Sequence, residues 1–343
     1  MFLLHLTHYI GFFGAQIFNS ILAVLIIKRA GKLFGPYRHL MLFFTLCSML
    51  FSWVEIITQP VVHMKGPMFI VFLDQNRFPP GLGHYVACLH CGTFGFIISL
   101  LAAQYFYRYC VLCKPVLLEI FIGYRQFLIL LTPCFIVYVV WFEVVDWGMK
   151  ATLEKRLYIR EDLKVNFDMD SMTVPFISSM YWNTDPFGEK LWRFKDLVSA
   201  VVCCCIISVV CTSILFFAFK IYFHMKTARI HMSQKTLELN RQLFIMLTVQ
   251  TIFPFLLMYI PIGLLIGLPL FNLSLGPYAN FTSGSIAIYP LIEPLIAMYC
   301  ITDFRRAILR FFGWKGDVMV STVDVMTVEV DARTFRTNLS MFQ

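Results

Sequence analysis

Charge is what this sequence has least of. Asp, Glu, Lys and Arg supply 14% of its 343 residues, against 59% for hydrophobic types. A soluble domain of this length needs far more charge to cover its surface, so that class is excluded. Catalytic signatures are missing as well. There is no nucleophile elbow, no phosphate-cradling glycine loop and no paired-histidine zinc signature, which leaves an enzyme reading without support. A cleavable secretory signal is also lacking. The apolar run Met1–Ile27 is too long for such a signal and has no basic leader, so it reads as a retained first span. The net charge of +8 does not indicate nucleic acid as a partner, because basic residues in membrane chains sort by side.

Long apolar runs are abundant instead. Seven candidate spans fall at about 3–27, 40–62, 85–107, 127–145, 197–223, 243–268 and 279–301. Each is long enough to cross roughly 30 Å of hydrocarbon at about 1.5 Å per residue. Residues 66–73 are apolar but too short to cross, and read as a loop or a lip of the second span. Pro290 and Pro294 interrupt the seventh span and free backbone groups that neighbours must satisfy.

Basic residues then fix an expected orientation. Lys28, Arg29, Lys32 and Arg38 follow span one, and Arg108, Lys114 and Arg125 follow span three. Lys220, Lys226, Arg229, Lys235 and Arg241 follow span five, while Arg305, Arg306, Arg310 and Lys315 follow span seven. The opposite side carries Lys65 and Arg77, and a long 146–196 loop whose eight basic residues are offset by nine acidic ones. The expected arrangement is an all-α bundle of seven membrane helices with the N-terminus outside and the C-terminus inside. That is the layout of serpentine, G-protein-coupled receptors, an analogy that does not by itself fix function.

Specific motifs sharpen it. Span two reads "EIITQPVVHM", with Glu55, Pro60 and His63; span three exits through "YRY" and "CKP". The approach to span six reads "RQLFIMLTVQTIFPFLLMYIPIG", and span seven reads "YPLIEPLIAMYCITDFRRAI". Through these motifs the chain resembles the Str class of nematode serpentine chemoreceptors, up to about residue 310. It departs at Gln104, where relatives often have histidine, and at Glu293, where they often have aspartate. The resemblance implies a receptor for small, often volatile chemicals, coupled to a heterotrimeric G protein, in the plasma membrane of sensory-neuron cilia. Residues 1–301 would be the receptor domain, 302–315 a surface helix and 316–343 a disordered cytosolic tail. No cofactor or metal is expected.

The candidate site residues fall into three sets. By depth, Glu55, Tyr85, Leu89, His90, Phe94, Met258, Tyr259, Thr282 and Ser285 are expected to line an outer cavity for a largely apolar odorant. Facing the G protein are Tyr107, Arg108, Tyr109, Lys114, Lys226, Arg229, Lys235, Arg241, Arg305 and Arg306. Arg108 stands where serpentine receptors place a switching arginine, though Tyr107 replaces the common acidic neighbour; the alternative is a Tyr–Arg belt at the headgroups. The third set is the hinge: Pro254 and Pro261 for an outward swing of span six, and Pro290, Glu293 and Pro294 in span seven. Glu55 and Glu293 lie within the bilayer, where an ionised carboxylate costs about 2.5–3.5 kcal/mol or more. Their depths differ by on the order of 10 Å, so separate roles are expected.

Other features are plainer. Cys88/Cys91 and Cys110/Cys113 have a zinc-like spacing but bracket one spanning helix, roughly 30 Å apart, which excludes a shared ion. Residues 146–196 contain no cysteine, so the disulfide that many serpentine receptors form to that loop is ruled out. The loop reads either as a lid over the mouth or as a solvated segment. Residues 303–312 form an amphipathic helix whose arginines meet anionic lipid. A transporter, a channel or a non-signalling escort protein are the rival readings, and pairing with a second receptor stays open.

Overall fold

The computed structural model describes residues 1–30, 37–73, 77–114, 125–185, 187–228 and 234–312. Arg229 and the 313–343 tail lie outside them, as does the side chain of Lys235. Residues 1–301 form one compact unit, and a second unit begins at Thr302.

Among the described residues, seven helical segments are long and apolar enough to cross a membrane. They comprise α1 (Phe2–Leu25, continuing as a wider π turn through Ala30), α2 (Tyr37–Thr58), α3 (Pro80–Cys113), α4 (Arg125–Gly148) and α6 (Phe194–Ala228). The sixth is composite: α7 (Gln234–Pro254), a π-helical turn Phe255–Tyr259, and α8 (Ile260–Gly267). The seventh is α9 (Asn280–Cys300). Large apolar side chains such as Phe13, Ile17, Leu50, Leu215 and Phe219 remain exposed on the flanks, as lipid-facing surfaces require.

Small residues set how closely the helices approach. A Cβ on Gly11 of α1 would sit 2.2 Å from the Ala287 carbonyl oxygen of α9, and one on Gly14 would sit 1.8 Å from Leu291 Cδ1. Without a strong hydrophobic drive between helices in lipid, such backbone contact supplies the packing.

Proline placement explains two polar contacts, and a third lies beside them. Pro294 has no N–H to give the Pro290 carbonyl, and Asn19 Nδ2 donates to that oxygen instead at 3.0 Å. Pro261 likewise leaves the Leu257 carbonyl without its helical donor, and Ser285 Oγ supplies one at 2.6 Å. Gln250 Nε2 donates to the Glu293 carbonyl at 3.4 Å.

Span two ends earlier than the sequence pattern suggests. At Gln59 the backbone turns to φ +40°, and Pro60 follows, so helix gives way to strand. Strands β1 (Val61–Lys65) and β2 (Met68–Phe72) form an antiparallel hairpin pairing Val61 with Phe72. Its turn uses Gly66, at φ +52°, where a side chain would be strained. The apolar stretch 66–73 is thus chiefly a sheet strand, where a loop or lip was expected.

Residues 146–196 are folded onto that hairpin. Helix α5 (Leu153–Phe167) starts at a Thr152 cap and ends at Asp168 in the left-handed conformation. Strand β3 (Phe176–Met180) pairs with β2, and β4 (Trp182–Thr184) with β5 (Lys190–Trp192). Ile70, Phe72, Ile159, Leu163, Phe176 and Met180 share one buried core with Leu4 of α1. Ser274 Oγ donates to the Met64 carbonyl at 2.6 Å and Tyr181 Oη to that of Ile266 at 2.8 Å, tying the sheet to the end of span six and its following turn.

In the second unit, α10 (Thr302–Phe311) buries Phe304 and exposes Arg306 and Arg310. Asp303 in its first turn and Arg310 in its last both suit the helix dipole.

Candidate functional site

Beneath the sheet, between the helices, lies a small and almost wholly apolar cavity. Its walls include Cys91 and Phe94 of α3, Trp141 of α4, Ile262 and Leu265 of α8, and Thr282, Ser283 and Ile286 of α9. Val62 and Val71 of the hairpin roof it, and Glu55, Pro60 and His90 add a polar corner. The volume is ≈ 60 Å³. One water needs on the order of 10–15 Å³ on this scale, so a molecule of a few heavy atoms fits.

The polar corner is a buried chain of groups from four spans. His90 Nε2 lies 2.6 Å from Glu55 Oε1, and Glu55 is 3% exposed. Ser283 Oγ donates to the Pro60 carbonyl at 2.6 Å and lies 3.3 Å from His8 Nε2. A hydroxyl has one proton, so His8 Nε2 is assigned as the donor to Ser283. His8 Nδ1 lies 3.8 Å from Glu55 Oε2, and neither atom has a hydrogen-bond partner among the described residues. Unmet polar atoms in a buried corner are costly. They are also an opening for a ligand that brings a donor.

Four of the nine expected cavity residues line it: Glu55, His90, Phe94 and Thr282. Tyr85 and Leu89 do not; they are 55% and 41% exposed, because their turn of α3 presents them to the flank of the bundle. Met258, Tyr259 and Ser285 are buried but lie outside the lining, engaged in helix contacts. The π turn brings Met258 and Tyr259 inward, and Tyr259 Oη reaches the Ile98 carbonyl at 3.2 Å. Sequence reasoning missed His8, Trp141 and the hairpin roof.

The layer above is held by ion pairs. Lys155, fully buried, sits 2.5 Å from Asp196 and donates to the Ser178 carbonyl at 2.8 Å. Burial lowers the Lys155 pKa while Asp196 opposes the change. Asp162 lies 2.7 Å from Lys65 and 3.3 Å from His63. Burial would raise the Asp162 pKa, but those two partners outweigh it and bring it down. For His63, burial dominates and lowers its pKa below the usual 6.5.

At the opposite end of the bundle, Arg108 turns inward. Its guanidinium carbon lies 3.7 Å from the centroid of the Tyr37 ring, which itself stacks on Tyr107 at 5.5 Å. Arg108 is 5% exposed, and its Nε and Nη2 have no hydrogen-bond partner among the described residues. Tyr109 rests on Phe217. Lys114 and Lys226 are exposed, Arg241 is half-buried, and in the separate α10 Arg305 is half-buried and Arg306 exposed.

Between the two ends, a second cavity of ≈ 30 Å³ is lined by Asn19, Tyr37, Thr45, Gln104, Gln250 and Glu293, among others. Glu293 therefore belongs to the same interior space as Tyr37, the partner of Arg108, and is absent from the Glu55 cavity.

Comparison with known proteins agrees with this architecture. Residues 4–309 match the family described as serpentine type 7TM GPCR chemoreceptor Str. Serpentine receptor class r-10 of Caenorhabditis briggsae is 29% identical over 300 residues, covering 85% of this chain and 86% of that protein. G-protein coupled receptor str-33 of Caenorhabditis elegans is 26% identical over 324 residues, covering 93% of each. Among solved structures, squid rhodopsin superposes with a TM-score of 0.55 at 15% identity, covering 91% of this chain and 85% of that one, which establishes a shared fold. The chain belongs to the Str family of serpentine seven-transmembrane chemoreceptors, a family of receptors and not of enzymes.

Proposed function

We propose that this receptor binds a small, volatile, largely apolar chemical in the cavity beneath the hairpin and activates a heterotrimeric G protein at the Arg108 end. The observation that carries the reading is the Glu55 corner: an apolar pocket with one buried carboxylate oxygen lacking a hydrogen-bond partner among the described residues. Short alcohols or amines are the chemical class that meets both demands, an alkyl body for Phe94 and Ile286 and one donor for Glu55 Oε2.

The N-terminus lies outside, as the distribution of Lys and Arg supports. The cavity then opens toward the outer leaflet, and Arg108 with Lys114, Lys226, Arg229, Lys235 and Arg241 faces the cytosol. Arg305 and Arg306 on α10 supply further charge for lipid or G protein. A ligand shifts the balance of states only by binding one state more tightly. Here that state has span six swung outward about Pro254 and Pro261, with Pro290, Glu293 and Pro294 yielding in span seven and Arg108 released from Tyr37. The membrane of sensory cilia is the fitting location for such a receptor.

The test is expression with a promiscuous G protein and a panel of volatile alcohols, amines and alkanes. Glu55→Leu, which removes both acceptor oxygens, should abolish responses to donor-bearing odorants, and Arg108→Ala should silence signalling with surface expression retained. Normal signalling by Arg108→Ala would discard the switch. An N-terminal tag that antibodies reach only in permeabilised cells would discard the orientation.

A further inference from the structure

A second cluster of chemically able side chains lies near the sheet end of the bundle, outside the cavity lining. His84 and Cys88 are one helical turn apart on α3, a spacing that puts both on one face. Asp146 reaches them from the last turn of α4. His84 Nε2 is 2.8 Å from Asp146 Oδ1 and 3.7 Å from Cys88 Sγ, and one donor atom from each residue lies within 4.8 Å of the other two. Cys88 is buried, while the His84 and Asp146 side chains are 17% and 24% exposed, so an ion has a way in.

Tetrahedral zinc, with bonds of about 2.0–2.3 Å, spaces its ligand atoms roughly 3.2–3.8 Å apart. Closing these three atoms around an ion requires movements of about 1 Å or less. Imidazole nitrogen, sulfur and carboxylate oxygen together suit zinc and not magnesium or calcium, which take oxygen alone. We propose that His84, Cys88 and Asp146 form a binding site for a zinc-class divalent cation, with water in the fourth position.

On binding, the Cys88 thiol loses its proton to solvent as the sulfur–metal bond forms, and no redox change occurs. Lys150, whose Nζ lies 3.4 Å from Asp146 Oδ2, competes for the same carboxylate and moves aside. The site has a mechanical consequence. Lys150 bridges to Ile177 of β3, and Ser178 N–H donates to the Met149 carbonyl at 2.8 Å. An ion at Asp146 would therefore pin α3 to α4 next to the junction with the strand layer, in a segment that has no cysteine for a disulfide.

The experiment titrates purified full-length receptor in detergent with Co²⁺, a spectroscopic stand-in for Zn²⁺, and then displaces it with Zn²⁺. Needing neither odorant nor G protein, it stands or falls apart from the receptor reading. One equivalent should bind with a sulfur-to-cobalt charge-transfer band, and Zn²⁺ should abolish the band and raise the thermal midpoint. Cys88→Ser should lose the band, and His84→Ala should weaken binding by more than the ~10–100-fold typical of losing a supporting group. Lys150→Met, which removes the competitor and no ligand, should bind more tightly. Absence of the band in the unaltered chain overturns the proposal. So does equal binding by Cys88→Ser, or, should that variant fail to fold, unchanged affinity in Lys150→Met.

Discussion

Arg108 lies over the ring of Tyr37, the guanidinium carbon 3.7 Å from the ring centroid, and Tyr107 stacks on that same ring. The arginine that follows Tyr107 in sequence is thus held by an aromatic ring from another helix where an adjacent carboxylate would often serve. A contact of this kind is worth about 0.5–2 kcal/mol. Tyr37→Ala should therefore raise ligand-free signalling by roughly 2- to 30-fold. Tyr37→Phe keeps the ring face and should stay near the unaltered level. Basal second-messenger production in matched-expression cells measures both, and equal basal activity in the Ala and Phe variants would refute the restraint.

Asn19 and Ser285 each replace a donor that a proline removed. Asn19→Ala leaves the buried Pro290 carbonyl unmatched, at a cost of about 1–3 kcal/mol. The thermal midpoint of the purified receptor should fall accordingly. Asn19→Asp, which offers no amide donor, should behave like alanine or worse.

Gly11 has no room for a methyl group, since a Cβ there would lie 2.2 Å from the Ala287 oxygen. Gly11→Ala must push α1 off α9, and overpacking of this sort costs about 1–3 kcal/mol. Reduced surface expression and a lower thermal midpoint are expected. Gly263, beside which nothing lies within 4 Å, is the matching control and should tolerate alanine far better.

The His63 pair gives the strand layer a pH dependence. Its folded pKa is lowered, so the unfolded state takes up protons first as pH falls. The stability His63 contributes is complete above about 6.5 and is lost as pH drops through the lower folded value. Asp162 faces it and stays charged over that window, because its own pKa is lowered by its contacts with Lys65 and His63. Thermal midpoints between about pH 7.5 and 5 should decline, and His63→Gln should flatten that decline.

The spans were legible in the sequence because apolar runs near twenty residues have only one solvent that suits them. Counting depth along each run pointed to Glu55, His90, Phe94 and Thr282, and these four line the cavity beneath the hairpin. Depth does not give rotation, however, and Leu89, the residue before His90, points elsewhere, as does Tyr85 one turn above. The hairpin was written in Gly66-Pro67 between two β-branched and aromatic runs, a turn signal that a search for spans passes over. His84, Cys88 and Asp146, like Arg108 and Tyr37, come together only when helices pack. Cys88 drew attention through its neighbour Cys91, whereas its partners in space are a histidine one turn back and an aspartate on another helix.

The roof over the cavity is made of paired strands, with Val62 and Val71 beneath and β3 laced alongside. Lifting the hairpin would break its ladder of backbone hydrogen bonds to β3, whereas the helices carry no such ladder between them at their flanks. Oily vapours dissolve far better in lipid than in water. On the function proposed above, a receptor so shuttered would sample its stimulus from the surrounding bilayer, and its sensitivity across a homologous series should track how strongly each compound partitions into fat.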